Sequence, residues 1–432
     1  MKLIKSLLFV STFLVVNTFL FSQEEELNPI DTLGIAVNKI QSELYILKKL
    51  KISGYTQVQY QIADTAGISS YAGGNFPTAV DNRFDVRRGR LKLTYESGLT
   101  QSVIQFDITQ RGASFKDVFV KVAEPWIGFI TLTGGIFSRP ISFENEYSSS
   151  VRETPERSRI VQLILPGERD LGAKLSFQAP KSSKWNILKL EGGLFNGTGL
   201  AGTNDFDSFK DFIGNIGINK TTKNEKTNYG LRFSYYNGGI KQGNKFVYKT
   251  IDEIAPGVKS WIVDSSTSNL NGKARREYFA GDFQLNWDLP IGFSVLRAEY
   301  LTGYQTGSAA SSTSPNTGTA PTGDTYIRPF NGGYIMLAQN ILQSKHQLVI
   351  KYDWYDPNTE VSKDEIGKPG SKLTATDIKY STIGIGWNYR VNTNIKFSLY
   401  YDLVTNETSQ NLAAYSTDLK DNVWTIRMQY KF

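Results

Sequence analysis

The last eleven residues of the chain, 422 to 432, alternate between polar and apolar side chains and end on an aromatic residue. In a β-strand, alternate side chains point to opposite faces. The apolar face would carry Trp424, Ile426, Met428, Tyr430 and Phe432, and the polar face Thr425, Arg427, Gln429 and Lys431. An apolar face toward lipid and a polar face toward water is typical of a transmembrane barrel strand. The alternative is an edge strand of a soluble sandwich.

The same alternation begins at Lys51 and predicts about sixteen strands. They cover 51 to 61, 83 to 95, 102 to 110, 115 to 123, 127 to 139, 169 to 178, 185 to 196, 211 to 220, 227 to 237, 273 to 287, 292 to 303, 331 to 340, 346 to 355, 375 to 389, 395 to 403 and 422 to 432. Short turns and longer loops alternate between them, as they do in bacterial barrels. We therefore predict an all-β fold, a closed antiparallel transmembrane barrel over 51–432.

The segment before the strands contains two further predicted parts. Residues 1–22 have the basic start and apolar stretch of a secretory signal peptide. In 23–50, a heptad seam predicts a short periplasmic amphipathic or coiled-coil helix. The seam consists of Leu33, Val37, Ile40, Leu44 and Leu47. This helix would either pack on the periplasmic mouth of the barrel or join a small bundle when barrels associate.

Composition supports an exported barrel and gives little material for catalysis. The chain has 25 Phe, 23 Tyr, 7 Trp and 38 Gly, but no Cys and a single His. Nucleophilic catalysis and His-rich or Cys-rich metal sites therefore lack their usual residues. We expect no enzyme activity, no catalytic residues, no metal and no cofactor. The net charge of +7 is modest, and an exported chain is not expected to bind nucleic acid. The expected location is the outer membrane of a Gram-negative bacterium, with membrane lipid as a partner.

Basic residues on the predicted inner face are the first candidate site. Arg83, Arg87, Arg90 and Lys92 follow one another along the second strand if a bulge near Gly89 shifts the alternation. The direction of Arg88 is left open. Further inward bases are predicted at Lys121, Lys174, Arg232, Arg276, Lys351, Lys396, Arg427 and Lys431, and inward acids at Asp85, Asp107, Asp170, Asp282, Asp353 and Asp402. Stacked cations in a narrow aqueous passage attract anions. The acids leave two alternatives, an anion-selective path and a weakly selective pore.

The long loop from Pro140 to Glu168 is the second candidate site. It carries Arg152, Arg157 and Arg159, interleaved with glutamates. Folded into the barrel, this loop would narrow the channel with opposed charges. The alternative is an exposed, salt-bridged lid over the entrance.

Several segments together resemble the phosphate-selective porin O and P family of outer-membrane β-barrel porins. They are 51–60, Arg87-Arg-Gly-Arg-Leu91, Glu168-Arg-Asp-Leu-Gly-Ala-Lys174, 195–199, 352–357 and the strand that ends at Phe432. The resemblance implies a 16-stranded barrel, a homotrimer and a ladder of inward arginines that conducts phosphate. Only Arg87, Arg90 and Lys92 match that ladder type. The terminal Phe432 also resembles the signal that the barrel assembly machinery reads.

The residues and the resemblance together predict an outer-membrane porin. It would pass small anions, with phosphate as the leading candidate, by passive diffusion through a basic lumen constriction. Two alternatives remain open. One is a general porin for small hydrophilic solutes, and the other is a structural or adhesive barrel with a closed lumen.

Overall fold

The computed structural model describes residues 37 to 432 except 42, 46, 47, 201 and 203. The predicted signal peptide and two seam positions, Leu33 and Leu47, lie outside the described residues. The described residues from 37 to 49 are helical, and the chain divides into two compact units between Leu50 and Lys51. Among the described helices, none is long and apolar enough to cross a membrane.

The described chain from Leu50 onward forms one antiparallel sheet with a single added hairpin. Its strands are β1 (Leu50–Ala63), β2 (Asn82–Ser97), β3 (Thr100–Thr109), β4 (Gly112–Ala123), β5 (Ile130–Ser138), β6 (Arg169–Gln178), β7 (Leu188–Phe195), β8 (Asp211–Thr221), β9 (Thr227–Lys241), β10 (Val247–Ala255), β11 (Val258–Asp264), β12 (Lys273–Leu289), β13 (Gly292–Gly307), β14 (Thr325–Asn340), β15 (His346–Asp356), β16 (Tyr380–Arg390), β17 (Ile395–Asn406) and β18 (Val423–Lys431). Two short helices, α1 (Phe143–Glu146) and α2 (Arg159–Ile164), lie in the connection between β5 and β6.

The sheet closes on itself. The first strand pairs with the last, from Tyr55 opposite Lys431 to Ala63 opposite Val423, and β1 also pairs with β2. Across the β10–β11 hairpin, β9 pairs directly with β12. The wall therefore contains sixteen strands, which confirms the predicted fold. Closure leaves no strand edge of the wall with unpaired backbone groups.

The two faces of the wall have opposite character. On β18, Ile426 and Met428 are exposed, whereas Thr425 and Arg427 are buried, as the alternation predicts. Neighbouring strands repeat this arrangement, so exposed Leu, Ile, Phe, Tyr and Trp side chains surround the barrel. A closed barrel with an apolar outer surface is the architecture of bacterial outer-membrane proteins. The protein is therefore an outer-membrane barrel.

The connections alternate in length as predicted, with one difference. Short turns join the strands at one end, for example 98–99 and 290–291. Longer loops join them at the other end, except between β3 and β4, where the connection is residues 110–111. The difference is the β10–β11 hairpin, which lies inside the loop predicted for 238 to 272. Its strands turn at Pro256 and Gly257, and Tyr248 and Trp261 pack into an apolar cluster of the long-loop end.

The inner face is less polar than the alternation predicts. Residues from several wall strands form a buried apolar cluster inside the barrel, and α2, Ile141 and Leu165 of the connection between β5 and β6 supply the rest of it. The wall members include Phe137, Phe195, Ile213, Tyr236, Tyr278, Leu301, Phe330 and Tyr355. Part of the lumen is thus a packed core, which fixes α2 against the wall.

Candidate functional site

The connection between β5 and β6, residues 139 to 168, is here called the constriction loop. It folds into the barrel, because most of its side chains from Arg152 to Leu165 are buried. Its backbone and side chains bond to strands around the wall. Ser149 contacts β1, Ser150 accepts a hydrogen bond from β18, and Pro140 accepts one from β8. The sequence left two alternatives for this loop, one folded into the barrel and one exposed as a lid. In the structure the loop is folded into the barrel.

Hydrophobic packing holds the second half of the loop. Ile160 and Ile164 of α2 are completely buried, and Val161 and Leu163 nearly so. All four belong to the apolar cluster of the lumen. Burying such side chains stabilises the docked loop by about 1.5 to 3 kcal/mol each relative to leaving them exposed.

An ionic cluster holds the middle of the loop. The Glu156 carboxylate accepts two hydrogen bonds from Arg87, at 2.9 Å each. Arg88 Nη2 also lies 2.7 Å from Glu156 Oε2, and Arg427 Nη2 lies 2.7 Å from Glu156 Oε1. One loop carboxylate therefore pairs with three guanidinium groups, two from β2 and one from β18. Arg88 further donates to Gln57 Oε1 at 3.0 Å.

Three further ion pairs join loop glutamates to other parts of the wall. Lys351 Nζ on β15 lies 2.6 Å from Glu144 Oε1. The other two pairs are Glu153 with Arg297 and Glu146 with Arg232. Together with Glu156, these glutamates bind β2, β9, β13, β15 and β18, so the loop spans the lumen and is held on several sides.

A basic cavity of about 430 Å³ lies between the constriction loop and the wall strands β1 to β6. Of the described residues that line it, seven are basic and two are acidic. The basic ones are Arg90, Lys92, Lys121, Arg157, Arg169, Lys174 and Lys431. This cavity is the candidate site for an anionic solute.

The charge of the cavity is reduced by ion pairs but not cancelled. Lys174 Nζ lies 2.6 Å from Glu191, and Arg169 Nε lies 3.0 Å from Asp117. Arg90 is a looser partner of Asp107, at 3.5 Å. Arg157 pairs with Glu168. In contrast, Lys92, Lys121 and Lys431 have no carboxylate within ion-pair distance among the described residues, so they leave a positive excess.

The structure separates the nine predicted pore residues into groups. Arg90, Lys92, Lys121, Arg157 and Lys174 line the basic cavity. The other four are distributed elsewhere, as described next.

Three of the remaining four hold the loops in place or lie within the constriction loop. Arg83 bonds Gln61 and the carbonyl groups of Gly74 and Asn75. Arg87 binds Glu156. Arg152 is buried, and its Nε and Nη1 have no hydrogen-bond partner in the described part of the chain.

The fourth, Arg159, does not line the basic cavity. Its guanidinium carbon is 3.7 Å from the centre of the Tyr380 ring and 4.6 Å from that of Tyr71. It lines a separate cavity among the long loops.

The break in alternation on β2 falls slightly before its predicted position at Gly89. Arg87 and Arg88 are neighbours in the chain, yet both reach Glu156. Beyond them, Arg90 is again buried on the inner face. The sequence left the direction of Arg88 open. It also did not predict that Glu156 pairs with three arginines, because nothing distinguishes Glu156 from the other charged residues of the loop.

The single histidine of the chain lies among aromatic side chains. His346 Nδ1 accepts a hydrogen bond of 3.1 Å from Trp387 Nε1, and the two rings stack. Within 37–432, apart from the five undescribed positions, no group of three His, Cys, Asp or Glu residues has the arrangement of a metal site.

Neither a known protein family nor a curated protein matches this sequence. Solved porin structures do match the fold. OmpF of Salmonella typhi, in complex with daunomycin, has a TM-score of 0.52 at 11% identity and covers 89% of this chain and 97% of its own. An anion-selective porin from Comamonas acidovorans has a TM-score of 0.50 at 11% identity, covering 89% and 99%. The DcaP channel of Acinetobacter baumannii has a TM-score of 0.50 at 10% identity, covering 89% and 97%. The chain therefore has the fold of the outer-membrane porins.

Proposed function

We propose that this protein is a passive outer-membrane porin that favours small anions. The observation that carries the proposal is the basic cavity beside the constriction loop, where seven of the lining residues are basic and two are acidic. A positive excess between low-dielectric walls raises the local concentration of anions and lowers that of cations. Release into the next compartment needs no energy input, because the individual contacts with a mobile ion are weak.

Phosphate is the leading solute within this proposal. Three arginines line the cavity. Arg157 and Arg169 already donate hydrogen bonds to the protein from all three side-chain nitrogens. Arg90 is therefore the guanidinium whose fork can donate two parallel hydrogen bonds to a phosphate. Lys92 and Lys121 add charge without a competing carboxylate in ion-pair range among the described residues.

The resemblance to phosphate-selective porins agrees with this choice. It is also the basis for proposing a homotrimer. Export is proposed from the signal-peptide pattern of residues 1–22, and assembly from the resemblance of Phe432 to the signal of the barrel assembly machinery.

A planar bilayer tests the proposal directly. We expect the double variant Lys92→Glu, Lys121→Glu to move the reversal potential in a KCl gradient toward cation preference. Because neither lysine holds the constriction loop by an ion pair, the channel size should change little. Lys249→Glu is the matched control, since Lys249 is half-exposed on the β10–β11 hairpin, away from the cavity. An unchanged reversal potential in the double variant would refute the anion preference.

Conductance also separates the alternatives. A general porin would conduct with little ion preference, and phosphate would not block its chloride current. A structural or adhesive barrel with a closed lumen would carry no steady current. In the proposed anion channel, millimolar phosphate added to KCl reduces chloride current, and the reduction weakens in the double variant.

A further inference from the structure

A second cavity, of about 520 Å³, lies among the long loops beside Arg159 and Leu163 of α2, and is here called the outer cavity. The loops 64–81, 308–324, 357–379 and 407–422 contribute to it. Its lining includes both charged groups and apolar side chains such as Ile68, Leu163 and Ile378. A cavity of this size and mixed character suits one small organic molecule.

Arg159 brings an unsatisfied cation to the outer cavity. The residue is 8% exposed, and its Nε has no hydrogen-bond partner among the described residues. Its guanidinium lies against the rings of Tyr380 and Tyr71. Ring contacts orient a guanidinium but do not satisfy its N–H groups. Buried N–H groups without partners are costly. Because Arg159 lines the cavity, an oxyanion there would bond its terminal N–H groups and offset part of this cost.

Asp421 brings an unsatisfied anion to the same cavity. It is 6% exposed, and its Oδ1 has no hydrogen-bond partner among the described residues. No ion pair links it to Arg159, although both line the cavity and interact electrostatically. A doubly charged anion on Arg159 would be repelled by Asp421. A ligand that carries both a carboxylate and an ammonium group would satisfy both residues.

We propose that the outer cavity binds a small zwitterion of the amino-acid type before it enters the channel. The carboxylate bonds Arg159, the ammonium bonds Asp421, and an apolar side chain lies against Leu163, Ile68 and the tyrosine rings. This site extends the proposed channel, because it would select solutes at the entrance on the long-loop side.

Saturation-transfer NMR on the detergent-purified full chain tests the site without requiring conduction. The probes are L-leucine, N-acetyl-L-leucine, which lacks the ammonium, and isoamylamine, which lacks the carboxylate. We expect L-leucine to bind with at least about tenfold higher affinity than either analogue, because each lost charged hydrogen bond has that effect. Equal affinity for leucine and its N-acetyl form would overturn the proposal.

Two variants test which residue of the cavity binds each charged group of the ligand. Arg159→Gln should lower the affinity for L-leucine and for N-acetyl-L-leucine about tenfold, because both carry the carboxylate. Asp421→Asn should lower the affinity for L-leucine about tenfold and leave the affinity for N-acetyl-L-leucine unchanged or higher. Lys363→Gln is the control, because Lys363 is an exposed lysine of the same long-loop end that does not line the cavity. Heat-modifiable migration on SDS gels establishes that each variant is folded. If Arg159→Gln binds L-leucine as tightly as Lys363→Gln does, the assignment is wrong. Loss of this binding would leave the reversal potential of the channel unaffected, so the two proposals fail separately.

Discussion

Arg427 of the last strand and Glu156 of the constriction loop form an ion pair of 2.7 Å, although 271 positions separate them in the chain. The strand that closes the barrel is thus bonded to the loop that narrows it. Arg87 and Arg88 reach the same carboxylate from the other neighbour of β1. Docking of the loop therefore depends on the completed barrel, since its anchors come from both sides of the closure.

Glu156→Gln should release the middle of the constriction loop. The substitution leaves three guanidinium groups facing a neutral amide, and removing one partner of a buried pair costs about 3 to 5 kcal/mol. We expect larger and noisier single-channel conductance. Glu277→Gln is the control, because Glu277 pairs with Arg275 on the outer side of the wall. Identical conductance for wild type and Glu156→Gln would show that this carboxylate does not hold the loop.

Ile160→Ala should loosen the loop by a different route. Ile160 is fully buried among wall residues of the lumen, and truncating such a side chain costs about 2 to 5 kcal/mol. Hydrogen exchange in the 139–168 segment should accelerate while the wall strands stay protected. Ile335→Ala, on the exposed outer face of β14, should leave exchange in this loop as it is. Equal exchange in the two variants would count against hydrophobic anchoring.

Acid should affect the channel only well below neutral pH. Burial by itself would raise the pKa of Glu156, but Arg87, Arg88 and Arg427 outweigh it, and the pKa lies well below the usual 4.5. A carboxyl whose pKa is lowered by docking stabilises the docked loop fully above its usual pKa. That contribution is lost as the pH falls through the lowered value. We expect the conductance of the wild-type channel to be constant from pH 8 to 5. In strong acid it should become larger and noisier, as expected for Glu156→Gln. A transition near pH 6 that disappears in Glu156→Gln would contradict this.

The sequence determined the wall of the barrel well, because alternation has a direct physical cause in lipid. Strands such as β6 (Arg169–Gln178) were predicted with their observed bounds. The β10–β11 hairpin was missed, because outside the membrane no lipid imposes alternation on Val247–Ala255. Its signal was the turn at Pro256 and Gly257 between two apolar segments.

The candidate site could be predicted only in part for a similar reason. Alternation predicts which bases face inward, and Lys92 and Lys174, two of the residues it selects, line the basic cavity. It does not identify partners that are far apart in the chain. The pairing of Glu144 with Lys351 and the packing of Ile160 against Phe330 depend on how the loop crosses the lumen, which strand periodicity does not encode.

The β10–β11 hairpin should be dispensable for the barrel. Lys241 of β9 is already paired with Lys273 of β12, so a short turn replacing 244–270 would keep the wall closed. We expect the shortened chain to fold and to keep heat-modifiable migration. Its long loops should become more sensitive to protease, because Trp261 and Tyr248 leave their apolar cluster. If the shortened chain does not form a barrel, the hairpin is required for folding and this prediction is wrong.

The sign of the reversal potential of the wild-type channel tests the central claim most directly. We consider the current through a single purified channel in a planar bilayer with a tenfold KCl gradient. This current should reverse at a potential that has the sign of the chloride equilibrium potential, because the basic cavity favours anions. A reversal potential of cation sign, or the absence of any steady current from a correctly folded barrel, would contradict the account.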